Sequence, residues 1–353
     1  MNLIPENFKL SATFDHPEFH DHEQVLFCSD AKSGLKAIIA VHNTHLGPAI
    51  GGCRMWDYVD ADEALTDALR LSKGMTYKNA LAGLPHGGGK SVIIGNAHTD
   101  KSPALLKAFA HHVKCLADRY VTAEDVGITS ADADLMATIA PNVGGTSEAG
   151  LGDPSPYTAL GVYCGIKAAA RHVFGRDDLT GKHVSLQGLG NVGFRVAEHL
   201  HRDGAKLIVS DVWEPSLTRA VDAFGATTIS PEEAHRVPCD IFAPCALGAG
   251  LNRHTIPDIQ AAIVAGAANN QLEQTTDGAL LASRGILYAP DYVINAGGVI
   301  AVAEPVSASA HASVTRRTEA IGDTLSAIFA EATRTGEPNA LIADRMAEQR
   351  FRG

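Results

Sequence analysis

The sequence predicts an α/β protein of two domains, an N-terminal α/β domain followed by a Rossmann-type doubly wound one. Three observations predict it. The chain has 353 residues, more than one ordinary domain holds at roughly 100–200 residues each. Short β-branched runs alternate with segments of helical periodicity along most of its length. Glycine contributes 34 residues and clusters at Gly51-Gly52, Gly87 to Gly89, Gly144-Gly145, Gly188/Gly190/Gly193 and Gly297-Gly298, the pattern of backbone brought close to a ligand or to other backbone.

Taken in chain order, Met1 to Leu10 has no basic segment leading into an apolar one, and no stretch reaches about 18 uninterrupted apolar residues. Gly34 to His42 is short, β-branched and bounded by turn residues, which predicts a strand. Asp62 to Thr76 places Ala64, Leu65, Ala68, Leu69 and Leu71 at helical spacing. Ser91 to Ile94 predicts another strand and Pro103 to Leu116 another helix. Gly144 to Pro156 lacks periodicity and is rich in Gly, Ser and Pro, so it predicts a linker. Beyond it, Thr158 to Arg171 predicts a helix, His183 to Gln187 a buried strand, Asn191 to Asp203 a helix, and Lys206 to Val209 a strand. Ile241 to Ala243, Ala262 to Ala265 and Leu287-Tyr288 continue the series at the spacing of a parallel sheet. Thr315 to Thr333 predicts one long amphipathic helix, stopped by Gly336.

Composition excludes several classes. With 45% hydrophobic and 20% charged residues the chain is neither collagen, coiled coil nor disordered. A formal charge of −11 without any Lys/Arg run disfavours nucleic acid as a partner. Six scattered cysteines with no C-x-x-C pair read as reduced thiols of a cytoplasmic protein. His16, Glu18, His20 and His22 crowd together without metal-ligand spacing, and no metal is expected.

Gly188-Leu189-Gly190-Asn191-Val192-Gly193 is a G-x-G-x-x-G string in the context that gives it meaning. An apolar strand enters it, a helix leaves from Asn191, and Asp211 ends the next strand roughly twenty residues on. The first glycine permits a tight turn, the second lets backbone N–H groups approach a pyrophosphate at the positive helix end, and the third allows close helix–strand packing. Asp211 would accept from the ribose hydroxyls and repel a 2′-phosphate, which favours NAD over NADP.

Gly87-Gly88-Gly89-Lys90-Ser91 resembles a Walker A motif and fails its test twice. The required first glycine is replaced by Leu84, and Lys90 is followed by Val-Ile-Ile, a strand, where a P-loop feeds a helix. What remains is a lysine on a glycine-rich turn with a second, Lys78, upstream. Two such lysines can divide labour: one stays protonated and binds a carboxylate, the other, desolvated beside a like charge, becomes a base. Asp125, in Thr122 to Gly127, supplies the carboxylic acid that completes such a site.

With these residues in place, the sequence resembles the Glu/Leu/Phe/Val family of amino-acid dehydrogenases, and within it the branch that acts on leucine, valine and phenylalanine. The matching blocks run in order through nearly the whole chain: LGPAIGGCRMW (Leu46 to Trp56), GMTYKNALAGLP (Gly74 to Pro85), GGGKSV (Gly87 to Val92), TAEDVG (Thr122 to Gly127), GDPSPYTALGV (Gly152 to Val162), QGLGNVG (Gln187 to Gly193), APCALG (Ala243 to Gly248), GAANNQL (Gly266 to Leu272) and YAPDYVINAGGVI (Tyr288 to Ile300).

The resemblance implies a substrate-binding and oligomerisation domain over residues 1–145 plus 331–353, an NAD-binding domain over 146–330, and a homo-oligomer between dimer and octamer. It implies that Lys78 holds the substrate carboxylate, that Lys90 is the general base activating water, and that Asp125 exchanges a proton with the amine. Asn295 would contact the substrate amino acid, Gly51 and Gly52 would line the same end, Thr158 would face the nicotinamide carboxamide, and Cys245, Ala246 and Asn270 would form the cofactor wall. The implied reaction is reversible oxidative deamination of an L-amino acid to the 2-oxo acid and ammonia.

Side-chain preference follows from Ile50, which stands where the glutamate-specific branch has a lysine; a buried glutamate carboxylate would be left unpaired. Ala123, Leu325 and Ile328 are the other expected pocket residues, and an aliphatic pocket suits leucine, isoleucine or valine. A phenylalanine- or tryptophan-preferring enzyme is the alternative, because one methyl at Ala123 separates the cases; a non-catalytic NAD-binding protein would have lost Lys78, Lys90 or Asp125. Cys53, His86 and Ile128 depart from the family pattern.

Overall fold

The computed structural model describes residues 13–147, 151–246, 248–305 and 307–352. The segment Met1 to Leu10 and part of the expected linker lie outside them. The chain divides into two compact units, residues 1–76 with 85–147, and residues 77–84 with 148–353.

The first unit is built on a mixed sheet of β1 (Gln24–Asp30), β2 (Leu35–Asn43), β3 (Ala49–Ile50), β4 (Cys53–Trp56), β5 (Gly87–Ile94) and β6 (Tyr120–Val121), with helices α1 (Ala61–Leu81), α2 (Pro103–Lys114) and α3 (Ser130–Ala137). The order is β1-β2-β5-β3-β6, and β4 also pairs with β5. β1 and β5 each run antiparallel to β2, which lies between them, whereas β3 and β4 join β5 in parallel. β2 is buried at all but one position because both faces are covered: Ile39 and Val41 pack with Phe109 and Val113 of α2, and Ile38 and Ala40 with Leu65 and Leu69 of α1. Ser102 caps α2 by accepting from Leu105 N at 3.2 Å, and Thr129 with Asp132 forms a reciprocal capping box on α3.

The second unit holds α4 (Ser155–Phe174), β7 (His183–Gln187), α5 (Asn191–Arg202), β8 (Lys206–Ser210), α6 (Glu214–Phe224), β9 (Thr227–Thr228), β10 (Ile241–Pro244), β11 (Ile263–Val264), α7 (Asp277–Ser283), β12 (Leu287–Tyr288), α8 (Asp291–Ile294), α9 (Gly297–Ala303), α10 (Ala310–Glu319), α11 (Ile321–Thr335) and α12 (Asn339–Arg352). Its sheet runs β12-β11-β10-β7-β8-β9 and every pair is parallel. The chain starts in the middle at β7, goes outward to β9, then returns to β10 on the other side. This doubly wound order has its switch point between β7 and β10, where ligands bind at the strand ends.

The structure departs from the sequence reading in four places. Gly87 to Gly89 form the start of buried strand β5, not a turn. α1 continues five residues beyond Thr76, so Lys78 is helical. The expected helix over Thr315 to Thr333 is two, divided at Ala320, which keeps a helical φ of −65° but a ψ of −9°; this lets α11 lie along α4, where Gly322 approaches the Cys164 carbonyl, before Gly336 ends it at φ 75°. The tail from residue 331, expected with the first domain, belongs to the second unit as far as it is described: α12 packs on α7, α11 and β12 and bonds the last turn of α1. No helix among the described residues is long and apolar enough to cross a membrane.

Candidate active site

In the first unit, the site grows from β5. Antiparallel pairing sets Lys90 opposite Ala40 and Val92 opposite Ile38, so Lys90 lies on the face covered by α1. Thr76 of α1 sits directly over Gly88, where any side chain would collide with its backbone. Lys90 is 5% exposed and its Nζ donates to Asp125 Oδ2. Asp125 follows β6 in a loop whose Oδ1 accepts from Val126 N at 2.6 Å, with Arg54 Nη2 3.9 Å away. Arg54 is in turn paired with Asp67 at 2.9 Å, and Tyr58 OH donates to the same carboxylate oxygen at 2.6 Å.

The paired glycines bring the loop in. A Cβ on Gly52 would come within 2.5 Å of the Glu124 carbonyl and 2.9 Å of Asp125 Cβ, and one on Gly51 would strike the Gly89 carbonyl. Cys53 N donates to the Ala123 carbonyl at 2.8 Å, so Ala123 is carried alongside. Ile50 and Ala123 are both buried at 6% exposure. The first unit thus assembles Lys90, Asp125, Gly51, Gly52, Ile50 and Ala123 around an ion pair between a buried lysine and a half-buried carboxylate, a geometry able to exchange a proton. Burial pushes the Cys53 thiol up to about 12, Ile128 joins the core, and the His86 ring lies 3.3 Å from the Pro48 carbonyl.

In the second unit, the three glycines of the motif sit in three different settings. Gly188 has φ +97°, which favours glycine, and a Cβ there would lie 2.8 Å from Ala246 Cβ across the switch point. Gly190 faces open space, and a Cβ on Gly193 would overlap the Gly188 carbonyl. Asn191 and Val192 open α5, whose first turn has no side-chain cap, leaving its N–H groups to a ligand. Asp211 Oδ2 accepts from Leu189 N at 2.5 Å and Oδ1 from Trp213 N at 2.8 Å, which ties the carboxylate to the glycine loop. Cys245 Sγ accepts from Ala267 N at 3.5 Å, and burial pushes this thiol up to about 12, so it is a neutral wall. An open, uncapped glycine loop with a carboxylate at the next strand end fits the pyrophosphate and ribose of a dinucleotide.

The same unit holds a polar cluster around Asn269, which the sequence reading did not single out. Lys78 Nζ donates to Asn269 Oδ1 at 3.3 Å, and Asn295 Nδ2 donates to that atom at 2.8 Å and to the Ala267 carbonyl at 3.1 Å. Asn295 Oδ1 is buried without a hydrogen-bond partner among the described residues, an acceptor left for a donor such as an ammonium. Burial holds the half-buried Lys78 ammonium down to about 8, opposed by the Asp291 carboxylate. The twin asparagines of GAANNQL were the available signal, but both are exposed, and it is the side-chain bonds of Asn269 to Lys78 and Asn295 that single it out, while Asn270 stands at φ +50°. Thr158 Oγ1 donates to the Pro154 carbonyl at 3.2 Å, and a Cβ on Gly298 would lie 2.7 Å from that hydroxyl oxygen. Leu325 and Ile328 are fully buried on α11, with Leu325 against Gly165 of α4. Arg54 was also missed; its role depends on Asp67, thirteen residues away, which no local motif reveals. No group of three or more His, Cys, Asp or Glu among the described residues is placed to hold a metal; His22 Nε2 lies 3.0 Å from Ser72 Oγ and 3.1 Å from the Leu69 carbonyl.

Comparison with known proteins identifies the family. The family sequence model described as Glu/Leu/Phe/Val dehydrogenase, dimerisation domain, matches residues 22–141, and that described as Glutamate/Leucine/Phenylalanine/Valine dehydrogenase matches residues 215–340. Leucine dehydrogenase of Geobacillus stearothermophilus is 52% identical over 96% of this chain and 93% of its own length. Valine dehydrogenase of Streptomyces virginiae is 47% identical over 96% of both. The crystal structure of L-tryptophan dehydrogenase from Nostoc punctiforme superposes with a TM-score of 0.81 at 44% identity, covering 94% of this chain and 96% of that one. The chain belongs to the Glu/Leu/Phe/Val dehydrogenase family of amino-acid dehydrogenases.

Proposed function

We propose that the chain catalyses the reversible NAD-dependent oxidative deamination of an aliphatic L-amino acid, leucine ahead of isoleucine and valine, to the 2-oxo acid and ammonia. NAD, held by Gly188, Gly190, Asn191, Val192, Gly193 and Asp211 with Thr158, Cys245, Ala246 and Asn270 beside it, supplies the hydride acceptor. Lys78 receives the substrate carboxylate as an ammonium. Asn295 Oδ1 accepts a hydrogen bond from the substrate amino group. Lys90 takes a proton from water, and Asp125, its ion-pair partner, passes a proton to and from the amine nitrogen. A close, partly buried pair of this kind lets each member alternate between charged and neutral by passing a proton to the other.

The observation that carries the reading is the Lys90–Asp125 pair set beside two buried aliphatic side chains, Ile50 and Ala123. An apolar wall leaves a glutamate side-chain carboxylate unpaired and accepts a branched aliphatic group. Leu325 and Ile328, in the second unit, are proposed as further aliphatic substrate-binding residues. A second reading, preference for an aromatic amino acid, is favoured by the 44% identity to the tryptophan dehydrogenase. NADH formation at alkaline pH with a panel of L-amino acids separates them: leucine, isoleucine and valine should turn over with the highest kcat/KM. Phenylalanine or tryptophan ahead of leucine would install the second reading, and silence with every amino acid would overturn the activity itself. The protein is further proposed to be a cytoplasmic homo-oligomer, formed through the unit that matches the dimerisation-domain model.

A further inference from the structure

Lys78 lies in the last turn of α1, and that turn is tied down from the far end of the chain. A helix C-terminus leaves its final carbonyls without intrahelical donors. Here Arg350 Nη1, from α12, donates to the carbonyls of both Ala80 and Leu81 at 2.9 Å each, placing a cation where the helix dipole favours one. Tyr77, next to Lys78, is 5% exposed and its OH donates to Glu348 Oε1 at 2.7 Å. The Tyr77 ring meets Phe351 edge-on at 5.4 Å and Tyr292 at 6.2 Å, and Tyr292 OH donates to Asp344 Oδ1 at 2.7 Å. Arg317 Nη2 adds a bond to the Gly83 carbonyl at 3.3 Å. Four side chains of α12 therefore converge, directly or through Tyr292, on one helical turn whose own contribution to the site is Lys78.

We propose that α12 is a positioning element for substrate binding, acting through Arg350 and through Tyr77–Glu348 to fix the backbone from which Lys78 presents its ammonium. The inference rests on the reading of Lys78 as the carboxylate site. A lysine ammonium sits at the end of a flexible four-carbon stem, so its mean position is only as defined as the backbone that carries it. Removing the Arg350 bonds frees the turn to fray, which weakens carboxylate binding in the ground state and the transition state alike. Loss of uniform binding raises KM and leaves kcat unchanged.

The test uses the full chain with Arg350→Met, Arg350→Lys and Tyr77→Phe, and Lys78→Ala as the reference. Arg350→Met should raise KM for the amino acid and for the corresponding 2-oxo acid about tenfold, the scale of losing a charge-assisted hydrogen bond, with kcat within about twofold and NADH affinity, read by fluorescence titration, unchanged. Arg350→Lys, which keeps a donor and the charge, should recover most of the affinity, and Tyr77→Phe should raise KM about threefold. An unchanged KM in Arg350→Met while Lys78→Ala raises it would overturn the positioning role. So would a loss of kcat or of NADH binding equal to the change in KM, the mark of a merely structural helix. If Arg350→Met does not fold, Tyr77→Phe decides the matter by the same criterion. An unchanged KM in Lys78→Ala would instead overturn the reading of Lys78.

Discussion

In the first unit a lysine lies on a central strand, 5% exposed, and meets a carboxylate. In the second a half-buried lysine near a helix end donates to the amide oxygen of Asn269. The glycines around them differ in the same sense. Those beside Lys90 are filled in: a Cβ at Gly51, Gly52 or Gly88 would run into backbone of the same unit. A Cβ on Gly190, in the cradle of the second unit, would meet nothing within 4 Å among the described residues. The first region pairs its lysine with a carboxylate of the same unit; the second presents the Asn295 Oδ1 acceptor, the N–H groups of the first turn of α5 and the Lys78 ammonium. On the proposed roles the first serves proton transfer and the second recognition, and the contrast can be broken at each end.

The largest effect is expected at Lys90. On the proposed roles, Lys90→Ala removes the base and leaves Asp125 with Arg54 Nη2 at 3.9 Å in place of its lysine partner, so kcat for deamination should fall by about 10²–10⁴, while NADH affinity in a fluorescence titration stays within about twofold because the cradle belongs to the other unit. Retained turnover would place the base elsewhere and dissolve the contrast.

The parts legible in the sequence are those governed by short-range pattern. The β7–Gly188–α5–β8–Asp211 run was readable because turn, helix start and strand end all lie within one βαβ unit, and the ends of β7 and β12 were readable to the residue. Lys78, Lys90 and Asp125 stood out through motif resemblance, and the Lys90–Asp125 contact then follows from pairing that no local window contains: β5 beside β3, and β3 beside β6. Gly87 to Gly89 were misread as a turn because glycine signals flexibility in isolation, whereas here it serves close packing inside a sheet under Thr76 and Tyr120. Asn269, Arg54 and Arg350 were not readable, since each acquires its role from a partner brought by tertiary folding. The break at Ala320 escaped because an alanine with helical φ interrupts no periodicity.

A smaller pair of effects separates packed from open glycine within one motif. Gly193→Ala puts a methyl into the Gly188 carbonyl, so the second unit should lose stability and Tm should fall by several degrees. Gly190→Ala meets nothing among the described residues, so Tm should hold while NADH binding weakens about 10–100-fold, the new methyl standing where backbone must approach the pyrophosphate. Equal Tm losses in both variants would show that Gly190 is structural and that the cradle is not open to a ligand.

The finest discrimination concerns the proton on Lys78. Burial lowers its ammonium to about 8 against an ordinary 10.5, so the unfolded chain holds this proton more tightly than the folded one. For the ligand-free protein the sign is unfavourable to the charged form: the stability associated with a neutral Lys78 is complete above 10.5 and is lost as pH falls through 8. A bound carboxylate reverses it, since an anion beside the ammonium raises its pKa and is held by the charge. Affinity of the NADH complex for the 2-oxo acid should therefore be flat below pH 8 and fall up to about tenfold per unit above it, and the rise in Tm on adding the 2-oxo acid should shrink over the same range. Lys78→Met should abolish the slope. A slope that survives the substitution would assign the proton to another group, Lys90 among them, and the recognition site would then share the proton chemistry of the first unit.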